Sequence, residues 1–197
     1  MIITISREYG AGGHSVGQKV AKELGIEFYD RDIIRSAVRN SGMDARDIER
    51  AEEEISRADA FWRWITPAAY VDQRETIHEV ERRIILMFAR KGPCVLLGRC
   101  ADVILEEANI ESLNVFIYAT DIHRAVRISE LIGSKDPNEI QKAMKRTDTA
   151  RRSYYEQITN RHWGDSRNYS MSLDSGLLGY DGCAELICQA ARRLDAK

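Results

Sequence analysis

The stretch ISREYGAGGHSVGQKVAKELG, Ile5 to Gly25, constrains this chain more than any other. Ahead of it, Met1 to Ser6 is a short apolar run rich in β-branched residues, which reads as a buried strand. Behind it, Val16, Val20, Ala21 and Leu24 recur at helical spacing, and Gly25 supplies a stop. A glycine cluster between a strand and a helix lets backbone N–H groups turn toward an anion, and the helix adds its positive N-terminal end. The full phosphate-loop pattern is G-x-x-x-x-G-K-[ST]. The best overlay puts Gly10, Ala11 and Gly12 in the loop and Gly13 at the lysine position, with His14 and Ser15 just after it. The first glycine is also missing, and its place falls near Arg7. Phosphate binding by Gly10, Ala11, Gly12, Gly13, His14 and Ser15 is the expectation, with Arg7 replacing the lost cation. The competing reading is a tight turn that needs glycine for positive φ and binds nothing.

Further along, Ile26 to Tyr29 reads as a second short strand and Asp30 to Asn40 as a helix. Met43 to Ala60 is highly charged and reads as a solvated surface helix, ending near the aromatic cluster Phe61, Trp62 and Trp64. Pro67 breaks the pattern, and Asp72 to Lys91 is a long helix with Ile77, Val80, Ile84, Ile85 and Phe88 on its buried side. Cys94 to Leu97 and Asn114 to Ala119 are buried strands. Asp121 opens a helix that Gly133 ends, Pro137 to Tyr155 is a strongly basic helix, Asn168 to Ser175 is a last strand, and a final helix closes the chain. Short apolar strands alternating with helices predict a parallel sheet covered on both faces, in one domain.

Composition excludes several classes. The net charge of −2 supplies no field for nucleic acid or an anionic membrane, and no basic stripe carries interleaved aromatics. No apolar run reaches the ~18 residues that span a bilayer. The start lacks a basic n-region and a cleavage signal, so a cytoplasmic location is expected. Cys94, Cys100, Cys183 and Cys188 form no CxxC pair, and three of them, in apolar surroundings, are expected to pack as small hydrophobes. His14, His78, His123 and His162 have no metal-ligand spacing.

The stretches ITISREYGAGGHSVG, EFYDRDII, VLLGRCADVIL, VFIYATDIHRAVRI, KRTDTARRSYYEQ and NYSMSLDSGLLG, in this order over nearly the whole chain, resemble the cytidylate-kinase-like proteins. These lie near the bacterial cytidylate kinases among the nucleoside-monophosphate kinases. The phosphate loop departs from the pattern, since those kinases keep the lysine. The resemblance implies an α/β, three-layer P-loop kinase fold: a central parallel sheet, helices on both faces, a monophosphate-binding region at about 30–90 and a helical lid at about 134–166, all within 1–197. It implies ATP as phosphoryl donor, Mg²⁺ near Ser15, and CMP or dCMP as acceptor.

On that resemblance Arg99, at the end of the CVLLG strand, faces the acceptor monophosphate, with Asp102 nearby; the bland readings are a surface arginine and an acid favouring a helix dipole. Asp30 and Arg31 sit where the acceptor region begins, with Arg35 beyond; Asp30 is equally well read as an N-cap. Arg146 and Arg151 are expected over the transferring phosphoryl group as catalytic residues, with Asp148 orienting them, in a basic segment that also holds Lys142, Lys145 and Arg152. Phosphoryl transfer asks for positioning and charge neutralisation, which arginines brought in by closure provide. Arg124 and Arg127 share a helix face. Tyr154 and Tyr155 are expected in the core. Asp174-Ser175 reads as a turn with a cap or as a step toward the nucleotide base. The aromatic cluster is expected to serve as core or subunit contact, which leaves a homo-oligomer open. The alternatives to a cytidylate-type kinase are a kinase for another small-molecule acceptor and a non-catalytic nucleotide-binding regulatory protein.

Overall fold

A computed structural model describes residues 1–30, 32–34 and 67–196. Arg31, Arg35, the charged stretch from Met43 to Ala60, and Phe61, Trp62 and Trp64 lie outside the described residues. Strand β1 (Ile2–Arg7) leads into α1 (Gly13–Leu24), then β2 (Glu27–Tyr29). After a helical turn at 32–34 come α2 (Pro67–Lys91), β3 (Cys94–Leu97), α3 (Ala101–Glu107), β4 (Ser112–Tyr118), α4 (Asp121–Ile132), α5 (Pro137–Thr159), β5 (Met171–Asp174) and α6 (Ser175–Asp195).

The five strands pair in the order β2-β3-β1-β4-β5, all parallel. Alternation along β1 explains the three layers. Ile3 and Ile5 are fully buried toward α1 and α6, where they meet Val16, Val20, Val115, Ile117 and Ile187. Ile2 points the other way, into a second cluster with Leu96, Ile85, Phe88, Ile104 and Leu105 from α2, β3 and α3. Each such side chain contributes about 1.5–3 kcal/mol by leaving water.

The chain leaves β1 toward one edge of the sheet through β2 and β3, then continues on the other side of β1 through β4 and β5. In open α/β sheets that reversal opens a crevice at the carboxyl ends of the strands. The loop after β1 therefore lies at its centre.

Several bounds differ from the sequence reading for local reasons. Pro67 opens α2 five residues before Asp72, because a missing N–H is harmless in a first helical turn. Helix α5 runs on past Tyr155 to Thr159, ending at Asn160 in the left-handed conformation. Helix α6 starts at Ser175 and breaks at Gly179, whose φ is 67° and ψ 168°. All four cysteines, not only three, are buried, and none is bridged. No helix among the described residues is long and apolar enough to cross a membrane.

Candidate active site

The loop from Glu8 to Gly12 is held by side chains that arrive from three other elements. Arg7 O accepts from Arg151 Nη1 of α5 at 2.9 Å. Tyr9 O accepts from Arg124 Nε of α4 at 2.8 Å. Ala11 O accepts from the hydroxyl of Ser175, which begins α6, at 2.7 Å. In a trans peptide the C=O and the next N–H point in opposite directions, so each outward carbonyl turns an N–H the other way. The backbone N–H groups of Gly10, Gly12, Gly13, His14 and Ser15 have no protein acceptor among the described residues. Five donors, three of them in the first turn of α1, make a site for an anion.

Gly10 and Gly12 have φ of 83° and 74°, which a side chain rarely adopts. A Cβ at Gly12 would fall on the Tyr180 ring. Gly13 is small for another reason: a Cβ there would meet Arg7 Cβ at 2.6 Å and Cγ at 2.8 Å. Arg7 crosses the position where the standard loop has its lysine, and its guanidinium reaches Gly98. The aliphatic stem of Arg7 thus fills the space beside Gly13, and its charged end lies at the turn after β3.

Beside the loop lies a cavity of about 180 Å³, lined by Arg7, Arg99 and Arg151 together with Tyr154, Tyr155 and Trp163. Arg99 stands in an unusual turn. Gly98, Arg99 and Cys100 have φ of 76°, 59° and 54° in succession. Left-handed backbone costs about 1–2 kcal/mol per non-glycine residue. Arg99 Nη1 pairs at 3.1 Å with Glu81 Oε1 of α2, and the other oxygen of Glu81 accepts from Tyr154 OH at 2.5 Å. Burial works against the Arg99 charge, but Glu81 and Tyr154 together offset it and the guanidinium holds its proton more tightly than usual.

Asp102 does not line this cavity. It is 3% exposed, behind Tyr155, whose OH donates to Asp102 Oδ2 at 2.9 Å. Burial raises its carboxyl above the usual range despite that bond. Tyr154 and Tyr155, expected in the core, form the cavity wall. Asp148 accepts from Tyr9 N at 2.8 Å and pairs with Arg124. Arg146 is exposed on α5, away from the cavity lining. Asp30 caps the turn at 32–34 by accepting from Asp32 N and Ile33 N, and its Oδ2 lies 3.2 Å from His14 Nε2. Burial opposes ionisation of Asp30, yet these bonds hold its carboxyl below the usual value. Asp174 caps α6.

A groove of about 400 Å³ adjoins the loop between α4 and the start of α6, lined by His123, Val126, Arg127, Ser175, Gly179 and Tyr180. Ser175 and Arg124 support the loop, a role that their sequence context does not suggest. Their bonds join positions 164 and 115 residues apart, and no local pattern marks them. Among the described residues no group of three histidine, cysteine or acidic side chains could hold a metal ion.

The chain resembles known proteins throughout its length. A cytidylate kinase from Thermoplasma volcanium is 28% identical over 149 residues, covering 75% of this chain and 67% of that one. The crystal structure of an uncharacterized protein from Eubacterium ventriosum superposes with a TM-score of 0.72 at 24% identity, covering 96% and 97% of the two chains. A shikimate kinase from Bacteroides thetaiotaomicron shares the fold at a TM-score of 0.54 and 14% identity, covering 98% of each chain. The model of the cytidylate kinase-like family matches residues 2–177, and the chain belongs to that family.

Proposed function

We propose that this member of the cytidylate kinase-like family transfers the γ-phosphoryl group of ATP to a nucleoside monophosphate, CMP or dCMP first. The observation that carries the reading is the pairing of five N–H groups without a protein acceptor among the described residues with a cavity lined by Arg7, Arg99 and Arg151. A phosphate monoester carries close to two negative charges near neutral pH. Guanidinium forks match its oxygens in both charge and geometry, which a single carboxylate would use less fully. Tyr154, Tyr155 and Trp163 add ring surface for a base. The cytosine preference is supported by the relative from Thermoplasma volcanium.

In this reading the loop amides hold the donor phosphates, and the groove between α4 and α6 takes the donor base. Mg²⁺, which keeps several waters and needs only one or two protein groups, fits beside the Ser15 hydroxyl in the first turn of α1; when bound it neutralises phosphate charge. Arg99 holds the acceptor phosphate, and Asp30 stands where the acceptor region begins. Asp102 supports this wall from behind Tyr155. Arg7 and Arg151 lie along the path of the moving phosphoryl group. Helix α5 belongs to the lid and is already fastened to the loop through Asp148, and the exposed Arg146 side chain on it swings over the phosphates and excludes water. An acceptor phosphate oxygen attacks the γ-phosphorus and the bond to the β–γ bridging oxygen breaks, releasing ADP. The attacking oxygen is already ionised, so no general base is needed. The positioned positive charges lower the barrier.

The test is ADP release from Mg²⁺-ATP over a panel of monophosphates, with Arg151→Ala and Arg146→Ala beside the wild type. Turnover led by CMP or dCMP, and falling at least a hundredfold in Arg151→Ala, is expected for loss of a transition-state cation. ATP binding without turnover of any monophosphate would overturn the reading.

A further inference from the structure

Tyr9 is gripped from both sides. Its N–H donates to Asp148 Oδ1 at 2.8 Å and its C=O accepts from Arg124 Nε at 2.8 Å. Arg124 and Asp148 are themselves paired, Nη2 to Oδ2. The three bonds close a ring around one loop residue, built from α4, α5 and the loop. Arg124 is 5% exposed, and its remaining nitrogen lies 3.3 Å from Glu8 Oε2 and 3.5 Å from Asp121 Oδ1. An arginine buried this deeply, with each nitrogen turned to a group of this cluster, is committed to the loop.

The orientation it enforces matters because Tyr9 O and Gly10 N–H belong to one peptide plane. Turning the oxygen outward to Arg124 turns the Gly10 N–H inward. The residue after that plane is glycine at φ 83°, where the two orientations differ little in intrinsic energy. A flip would point a carbonyl oxygen at the donor phosphates. The backbone leaves little room to relax, since a Cβ at Gly10 would meet Arg124 O at 2.7 Å.

We propose that Arg124 is a positioning residue for the donor: it fixes the Tyr9–Gly10 peptide so that the Gly10 N–H faces the donor phosphate. Through Asp148 it also fastens α5, the helix that carries Arg151, to the loop. This rests on the reading of the loop as a donor-phosphate site. It assigns the missing lysine's task to two residues: Arg7 supplies charge, and Arg124 supplies loop geometry without touching the nucleotide.

The experiment compares the wild type with Arg124→Gln, Arg124→Lys, Asp148→Asn and the double variant Arg124→Gln/Asp148→Asn. Calorimetry gives the Kd for Mg²⁺-ATP without acceptor, kinetics give KM for ATP and for CMP, and thermal unfolding reports folding. In Arg124→Gln the Kd for ATP rises about tenfold or more, the size expected for a charged hydrogen bond. KM for CMP changes less than about twofold, a split that general loosening would not produce. Arg124→Lys, which still reaches Tyr9 O, recovers part of the loss. The double variant binds ATP no worse than Arg124→Gln, because the two side chains act as one clamp. If Arg124→Gln fails to fold, Arg124→Lys and Asp148→Asn decide the matter by the same split. Wild-type ATP affinity in a folded Arg124 variant, or equal losses for donor and acceptor, overturns the proposal. A wild type that binds ATP but phosphorylates no monophosphate overturns the kinase reading alone, and the Kd series still decides the role of Arg124. A wild type with no affinity for Mg²⁺-ATP overturns both.

Discussion

Replacing Glu81 with Gln removes the anion opposite Arg99 while keeping the shape of the side chain. Glu81 is 2% exposed and Arg99 11%, so solvent screens the loss only weakly. Removing one member of a buried ion pair costs about 3–5 kcal/mol, mostly because the remaining charge stays buried without its partner. At about 2–4 °C per kcal/mol for a chain of this size, the unfolding midpoint falls by roughly 6–20 °C. The Tyr154 hydroxyl loses its carboxylate acceptor in the same step. Replacing both partners by apolar residues of similar volume is far milder. Glu81→Met/Arg99→Met therefore regains most of the lost stability yet binds no acceptor, whereas Mg²⁺-ATP affinity stays within about threefold of wild type because the loop is untouched. Thermal unfolding by circular dichroism, paired with calorimetry for ATP and CMP, measures all of these. A midpoint shift under about 2 °C in Glu81→Gln, or a double variant as unstable as the single one, would refute the view that Glu81 is what holds Arg99 in its left-handed turn.

Ser175→Ala leaves the Ala11 carbonyl without its donor; a stability loss of about 1–3 kcal/mol in urea titration and a raised KM for ATP, with KM for CMP unchanged, are expected. Gly12→Ala meets both a φ of 74° and the Tyr180 ring, so it should lose about 2–5 kcal/mol and most ATP affinity, and Gly12→Ala/Tyr180→Leu should recover some of both. Burial raises the folded-state pKa of Asp102 above 3.8. As pH rises past that ordinary value the unfolded chain gives up its proton first, so stability is lost until the folded-state pKa is passed. Asp102→Asn, which keeps an acceptor for Tyr155, should therefore stabilise at pH 7 more than at pH 3; equal urea midpoint shifts at the two pH values would contradict it.

The parts of this fold that can be read from sequence are those set by neighbours in the chain. The apolar runs of β1 and of Cys94 to Leu97, the stops at Gly25 and Gly133, and the glycines after β1 all act locally, and the structure has them where the pattern puts them. The crevice follows from the alternation of strands and helices. The long-range choices stay hidden. Gly13 looks like a lost lysine until Arg7 is seen to fill the space across it. Tyr155 looks like core, and is buried, yet one edge of it faces the cavity while its hydroxyl holds Asp102. Asp148 reads from its helix as a support for the arginines beside it; its partners are instead Arg124 of α4 and the Tyr9 peptide, neither of which a helical repeat can reveal.

The carbonyl held by Ser175 also sets an order in time. Ala11 leaves the ribosome early, and its hydroxyl donor is made 164 residues later. At roughly 5–20 residues per second that is a wait of about 8–33 s. Arg124 and Arg151 also arrive well after the loop they hold. On the proposed reading a nascent chain carries the glycines of the donor site without their orientation, and ATP adds no stability there. Ligand stabilisation becomes available only after the last strand has docked, so a chain stalled before residue 175 should be as sensitive to protease with ATP as without it.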